Sequence, residues 1–214
     1  MSQPLFLYIH GFNSSPDSYK ARCFVDYMTS EGKADQVIVP ALSHWPARAI
    51  GMLEQLIEAH SDRTITLIGS SLGGYYSTWL CEKYALRAVL INPAVRPFEL
   101  LETMLGEQGN FYSDERYELT HDHLQQLLQI HCNVLKDPSR YLLLTQTCDE
   151  TLDYREAVEK FRDSPMLVQQ GGSHGFDQFE SVIPAILAFA EGRVELPAVT
   201  DLAAGRIRTE TSDE

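Results

Sequence analysis

The chain has 214 residues, 44% of them hydrophobic, which is enough apolar material for one substantial core and the length of a single α/β domain. Its formal charge of −13, from 30 acidic and 17 basic residues with no basic cluster, repels nucleic acid and anionic membrane surfaces, so neither is an expected partner. The four cysteines, Cys23, Cys81, Cys132 and Cys148, form no CxxC pair, which excludes a zinc ribbon and a dense disulfide framework. The N-terminus lacks the basic and apolar regions of a signal peptide. The longest apolar run, 182–190, is too short to span a bilayer, and a reducing cytoplasm is the expected location.

Along the chain, near-continuous apolar runs occur at 5–9, 37–39, 65–68, 88–91, 141–144 and 166–168. Such runs predict strands buried on both faces of a parallel sheet. Helical spacing separates them, as in Ala49, Met52, Leu53, Leu56 and Ile57, and in Tyr154, Ala157, Val158 and Phe161. Alternating strands and helices with short links predict a doubly wound α/β sheet. Residues 97–137 are too long for a simple crossover. They carry helix-like apolar residues at Leu100, Leu101, Met104 and Leu105, then a second amphipathic run, Leu124, Leu127, Leu128 and Cys132, behind Asp122 as N-cap. A small helical lid inserted between the fourth and fifth strands is expected there. Pro184 should kink or restart the last helix. The domain is read as 1–191, followed by a polar C-terminal tail over 192–214 that is expected to end in disorder.

The sequence Gly69-Ser70-Ser71-Leu72-Gly73 is a G-x-S-x-G, directly after a strand run and directly before a helical pattern. A serine on such a turn is exposed in a strained backbone, small neighbours relieve the crowding, and the helix N-terminus favours developing negative charge. A hydroxyl needs an adjacent base, and His174, after Gly171-Gly172-Ser173 beyond the last strand, has the best setting of the seven histidines. His10, at the end of the first strand, is read as shaping the site, and His44 and His60 as solvent-facing or structural. His121, His123 and His131 lack metal-binding spacing and are read as surface or cap positions on the lid. The base needs a carboxylate. Asp149, at the end of the fifth strand, is favoured over Glu150 and over Asp153, which is better placed as the N-cap of the next helix. The N–H groups of Phe12, in His10-Gly11-Phe12, and of Leu72 are the expected oxyanion donors.

Several segments together resemble the YqiA-like bacterial esterases. They are Tyr8-Ile9-His10-Gly11-Phe12-Asn13-Ser14-Ser15-Pro16, the elbow through Gly74, Asn92-Pro93-Ala94-Val95-Arg96-Pro97, Asp149-Glu150, and Gly171-Gly172-Ser173-His174. Cys148 departs from the glycine usual before that aspartate. The resemblance covers about residues 5 to 190 and implies a three-layer α/β/α sandwich of the α/β-hydrolase fold. It would have about six mainly parallel strands in the order 2-1-3-4-5-6. It further implies Ser71 as nucleophile, Asp149 as acid and His174 as base, acting on a small acyl ester or thioester without metal or organic cofactor. Arg96 is expected either to bind an anionic group, such as a phosphate of an acyl-CoA, or to pair the lid with the body. Met104 and Phe111, with Phe98, Leu101 and Leu105, are read singly as packing the lid onto the body and, taken together, as the lining of an acyl pocket. Two other readings are an acyl-CoA thioesterase and a non-catalytic binding module on a hydrolase scaffold.

Overall fold

A computed structural model of the chain describes residues 3–198 and residue 202. Six strands form the central sheet: β1 (Pro4–Ile9), β2 (Val37–Ile38), β3 (Thr64–Ser70), β4 (Arg87–Ile91), β7 (Tyr141–Gln146) and β8 (Met166–Gln169). Their order is β2-β1-β3-β4-β7-β8 and every pairing is parallel. Counted within the sheet this is the expected 2-1-3-4-5-6.

The apolar runs are continuous because each strand feeds two cores. On one face Leu5, Leu7, Ile9, Leu67, Leu90 and Leu143 pack beneath α2 (Pro46–Ala59), α3 (Leu72–Tyr84) and α6 (Tyr154–Lys160). On the other, Phe6, Tyr8, Ile68, Val89, Leu142 and Leu144 pack beneath α1 (Tyr19–Ser30) and α7 (Ile183–Ala190). Alternate residues of one strand thus serve opposite layers, as the period-2 geometry of a strand requires. The protein is an α/β/α sandwich. A 3₁₀ turn over Phe179–Val182 precedes α7, and Pro184 lies in the first turn of α7, so the helix restarts there.

The segment between β4 and β7 keeps two short helices, α4 (Pro97–Glu102) and α5 (His121–Gln129). Between them lies an antiparallel hairpin, β5 (Gly106–Gly109) and β6 (Arg116–Leu119), which the sequence does not predict. Its strands, GEQG and RYEL, carry no β-branched residue and little alternation. The hairpin is held instead by bonds to the loop after β1. Phe111 N–H donates to Asn13 O (2.8 Å), Asn110 Nδ2 to Ser14 O (3.1 Å), and Tyr117 OH to Asn13 Oδ1 (2.6 Å).

The N-cap of α5 is Thr120, not Asp122. Thr120 N–H donates to His123 Nδ1 (3.1 Å), so a histidine does what glutamate usually does at the third position of a capping box. Of the polar tail, residues 199–201 and 203–214 lie outside the described residues. Leu202 N–H donates to Gln170 O (2.9 Å), just ahead of the loop that carries His174. No helix among the described residues is long and apolar enough to cross a membrane.

Candidate functional site

The strand register brings five C-terminal ends to one edge. Ile9 pairs with Gly69, Ser70 with Ile91, Ile91 with Leu144, and Gln146 with Gln169. The residues that follow, at 10–12, 71, 92, 149 and 174, therefore converge on the edge where doubly wound sheets hold their ligands.

Ser71 joins β3 directly to α3 with φ 54° and ψ −120°. A positive φ at a residue with a side chain costs on the order of 1–3 kcal/mol and persists only where the surroundings enforce it. Here Ser71 N–H donates to Ile91 O (3.1 Å), while Ser71 O accepts from Gly74 and Ala94 N–H (2.9 and 3.0 Å). Close packing of α3 on β1 adds to the constraint, since a Cβ on Gly73 would overlap the Ile9 carbonyl oxygen. Gly73→Ala should therefore cost about 3 kcal/mol, an overpacking penalty with backbone on both sides. Urea unfolding would report it as a lowered midpoint, and an unchanged midpoint would contradict this packing.

The loop after β1 lies against the serine. A Cβ on Gly11 would stand 3.1 Å from Ser71 Cβ and 3.6 Å from its Oγ. His10 braces this loop. Leu42 N–H donates to Nε2 (3.2 Å), which leaves the proton on Nδ1, directed at Gly11 O (3.1 Å). Burial holds this imidazole below its ordinary pKa, so it is a neutral staple. Leu72 opens α3, so its N–H has no intrahelical acceptor, and Leu72 lines the same cavity as Phe12.

Asp149 and His174 meet directly. His174 Nδ1 lies 2.9 and 3.0 Å from the two carboxylate oxygens of Asp149. Asp149 Oδ1 also accepts from Thr151 N–H (2.9 Å) and Leu152 N–H (2.8 Å), and the aspartate side chain is 1% exposed against 24% for the histidine. The carboxylate is fixed in the interior and the far side of the imidazole is open. Ser71 Oγ is not hydrogen-bonded to His174 in this structure. Glu150 Oε2 instead accepts from the His174 main-chain N–H (2.9 Å), and Asp153 caps α6 by accepting from Arg155 N–H (3.0 Å).

Two buried amides that the sequence does not single out for a role hold the histidine loop. Asn92, after β4, donates through Nδ2 to Ser173 O (3.0 Å) and His174 O (3.2 Å), and its Oδ1 accepts from Thr145 Oγ1 and Gln146 N–H (3.2 and 3.0 Å). Gln146 Nε2 donates to Gln169 Oε1 (2.9 Å) and Asp177 O (2.8 Å). Its Oε1 accepts from Ser173 and Asp177 N–H (3.0 and 2.8 Å). A Cβ on Gly172, at φ +77°, would overlap that side chain. Every donor and acceptor of both amides is satisfied, which fixes the loop without leaving a buried polar group unpaired.

Beside Phe12 and Leu72 lies a cavity of about 30 Å³, walled also by Leu42, His44, Tyr76 and Tyr117. Its outer wall is braced by stacking of His44 on Tyr117 (4.1 Å between centroids) and of Trp45 on His123 (3.7 Å). Because His123 Nδ1 accepts from Thr120, its Nε2–H is the donor to His44 Nδ1 (3.0 Å). Met104 and Phe111 are 38% and 77% exposed and do not line this cavity. Arg96 pairs with Glu156 (2.5 Å) and Glu99 (3.2 Å), which ties the start of α4 to α6. A larger groove of about 680 Å³ lies between α6 and the chain after α5; Ser71, Asp149 and His174 line neither it nor the smaller cavity, which adjoins the serine through Gly11. Among the described residues no three His, Cys, Asp or Glu side chains converge as metal ligands.

Comparison with known proteins agrees with this architecture. A family model described as "Uncharacterised protein family (UPF0227)" matches residues 5–191. A UPF0227 protein of Citrobacter koseri is 22% identical over 190 residues, spanning 86% of this chain and 98% of that one. Among solved structures, the mouse alpha/beta hydrolase domain-containing protein 10 superposes with a TM-score of 0.67 at 16% identity, over 88% of this chain and 90% of that one. The esterase domain of a Rhodothermus marinus protein gives 0.65 at 16% identity, over 89% and 88%. The shared fold is that of the α/β hydrolases.

Proposed function

The chain belongs to the UPF0227 family, and from its α/β-hydrolase fold and the chemistry at its sheet edge we propose that it is a serine hydrolase cleaving carboxylic esters through Ser71, His174 and Asp149. The observation that carries this reading is the bond of His174 Nδ1 to a buried carboxylate, at the same edge as a serine held at positive φ. An imidazole that donates through Nδ1 has its lone pair on Nε2, on the exposed side, and can act there as a general base.

In the proposed reaction His174 Nε2 takes the Ser71 hydroxyl proton as Oγ attacks the ester carbonyl carbon. The carbonyl π electrons move to oxygen, where the N–H groups of Phe12 and Leu72 stabilise the anion, helped by the N-terminus of α3. Collapse breaks the bond to the alcohol, which leaves with the proton from His174, and Ser71 holds the acyl group. Water, deprotonated by His174, then attacks the acyl carbon, and Ser71 leaves with its proton restored. The Ser71–His174 bond this requires forms on substrate binding, since catalytic hydrogen bonds are often long in free enzymes. A p-nitrophenyl ester tests the scheme. A burst of p-nitrophenol equal to the enzyme concentration should precede steady turnover, and a folded protein giving neither burst nor turnover would refute it.

The cavity beside Phe12 and Leu72 would receive the acyl group. At about 30 Å³ it has room for a short acyl chain. Each methylene that fits contributes about 0.8 kcal/mol, roughly fourfold in kcat/KM. The rise with acyl length should therefore stop after the shortest chains. Tyr117→Ala, which opens the wall, should move the optimum to longer chains, whereas Met104→Ala and Phe111→Ala should leave it in place. A steady rise through long chains in the wild type would rule out this cavity as the acyl site.

A further inference from the structure

The main chain of His174 is held at both ends by charged side chains. Its N–H donates to Glu150 Oε2 (2.9 Å), and its carbonyl oxygen accepts from Lys20 Nζ (3.2 Å) as well as from Asn92. Lys20 is the second residue of α1. A cation in the first turn of a helix opposes the macrodipole, and one withdrawn from water loses hydration. Both disfavour a lysine at this position.

The ammonium nonetheless points inward. Burial pushes its pKa down to about 8, while the carboxylates of Asp149 and Glu150 work in the opposite direction. On the adjoining 3₁₀ turn, Glu180 is engaged by Tyr19 OH (2.7 Å) and Cys23 Sγ (3.3 Å), and in the histidine loop Asp177 is engaged by Ser173 Oγ (2.6 Å). Among the described residues Lys20 forms no ion pair within 4 Å, and its side chain makes one hydrogen bond, to the carbonyl of His174. A residue placed against two local preferences and aimed at one atom of the candidate site has its explanation in that atom.

We propose that Lys20 is a positioning residue for hydrolysis: its ammonium fastens the His174 carbonyl to α1 and so holds the imidazole in register between Asp149 and Ser71. This rests on the hydrolase reading above. The fastening adds to the bonds from Asn92, Gln146 and Glu150 by tying the loop to α1, and it bears on geometry because the His174 ring must meet two partners at once. A displacement of about 1 Å at such a centre can cost on the order of 100-fold in rate.

The test compares Lys20→Met, which keeps the aliphatic stem and removes the donor, with Lys20→Arg, which keeps a cation and N–H donors. Two quantities are read: the rate at which a fluorophosphonate modifies Ser71, and the imidazole Nδ1–H resonance of His174 by NMR. Lys20→Met should remain folded, with a thermal midpoint near the wild type. It should lose about 10- to 100-fold in rate and broaden or shift the Nδ1–H resonance. Lys20→Arg should recover most of the rate and the resonance. A folded Lys20→Met with wild-type rate and resonance would overturn the proposal, and so would equal losses in the two variants, which would assign the effect to packing. A wild type that the reagent does not modify would refute the hydrolase reading by itself. The His174 resonance in Lys20→Met would still decide whether the lysine fastens the loop.

Discussion

Ser71→Ala should lower kcat by roughly 10⁴ to 10⁶ while leaving the fold intact, because the covalent route disappears and only binding and oxyanion stabilisation remain. The fold should tolerate the change. Ser71 is positioned by its main chain, through the bonds of its N–H to Ile91 and of its carbonyl to Gly74 and Ala94. An alanine at φ 54° carries the same backbone strain as the serine it replaces. Ser70→Ala is the matched control. Ser70 is the last residue of β3 and buried, and its loss should leave most of the activity. Ester turnover by pure, folded Ser71→Ala at near the wild-type rate would end the proposed mechanism.

Asp149→Asn should cost on the order of 10² to 10⁴ in kcat. An amide there can present its nitrogen to His174 Nδ1 or its oxygen, but it carries no charge to stabilise the imidazolium that forms as Ser71 is deprotonated. It also meets two fixed backbone donors, Thr151 and Leu152 N–H, which favour the amide oxygen on their side and turn the NH₂ toward the histidine. That arrangement demands the wrong tautomer. Glu150→Gln should cost far less, since the amide oxygen of glutamine can still accept from His174 N–H. Asp153→Asn should cost less again, because asparagine remains a good N-cap for α6. Were Glu150→Gln the crippling change, Asp149 would not be the acid.

These expectations rest on features of unequal visibility in the sequence. The six sheet strands are legible because burial on both faces writes an unbroken apolar run, and each run lies within or overlaps an observed strand. The elbow is legible because its constraints are local: a serine at positive φ with glycines within two residues on either side leaves a five-residue signature. Asp149 and His174 are legible by position, as the polar residues just beyond two strand ends, and their 2.9 Å contact spans 25 residues of sequence.

Lys20 is a different case. It meets His174 across 154 residues, and no periodicity links the two. The available signal is a local inconsistency, a cation in the first turn of a helix. Gln146 leaves a fainter trace as an amide just after the apolar run 141–144, and Asn92 another as an asparagine directly after the run 88–91. The hairpin of β5 and β6 leaves almost none, because it is fastened by Asn13, Asn110 and Tyr117 rather than by its own apolar pattern. The cavity beside Phe12 and Leu72 is likewise hard to read from the sequence, because it is not lined by the exposed apolar residues Met104 and Phe111. Phe111 is hydrophobic but 77% exposed, while the wall of that cavity includes Tyr76, Tyr117 and His44 from three separate segments.

The site of phosphonylation decides whether Ser71 is the nucleophile. The wild-type protein is treated with a fluorophosphonate, and the adduct is located by peptide mass spectrometry. A nucleophilic Ser71 displaces fluoride and forms a bond to phosphorus, so a single phosphonyl group is expected on Ser71 and no adduct on Ser71→Ala. A folded wild-type protein that stays unmodified, or one modified equally with and without Ser71, would contradict it.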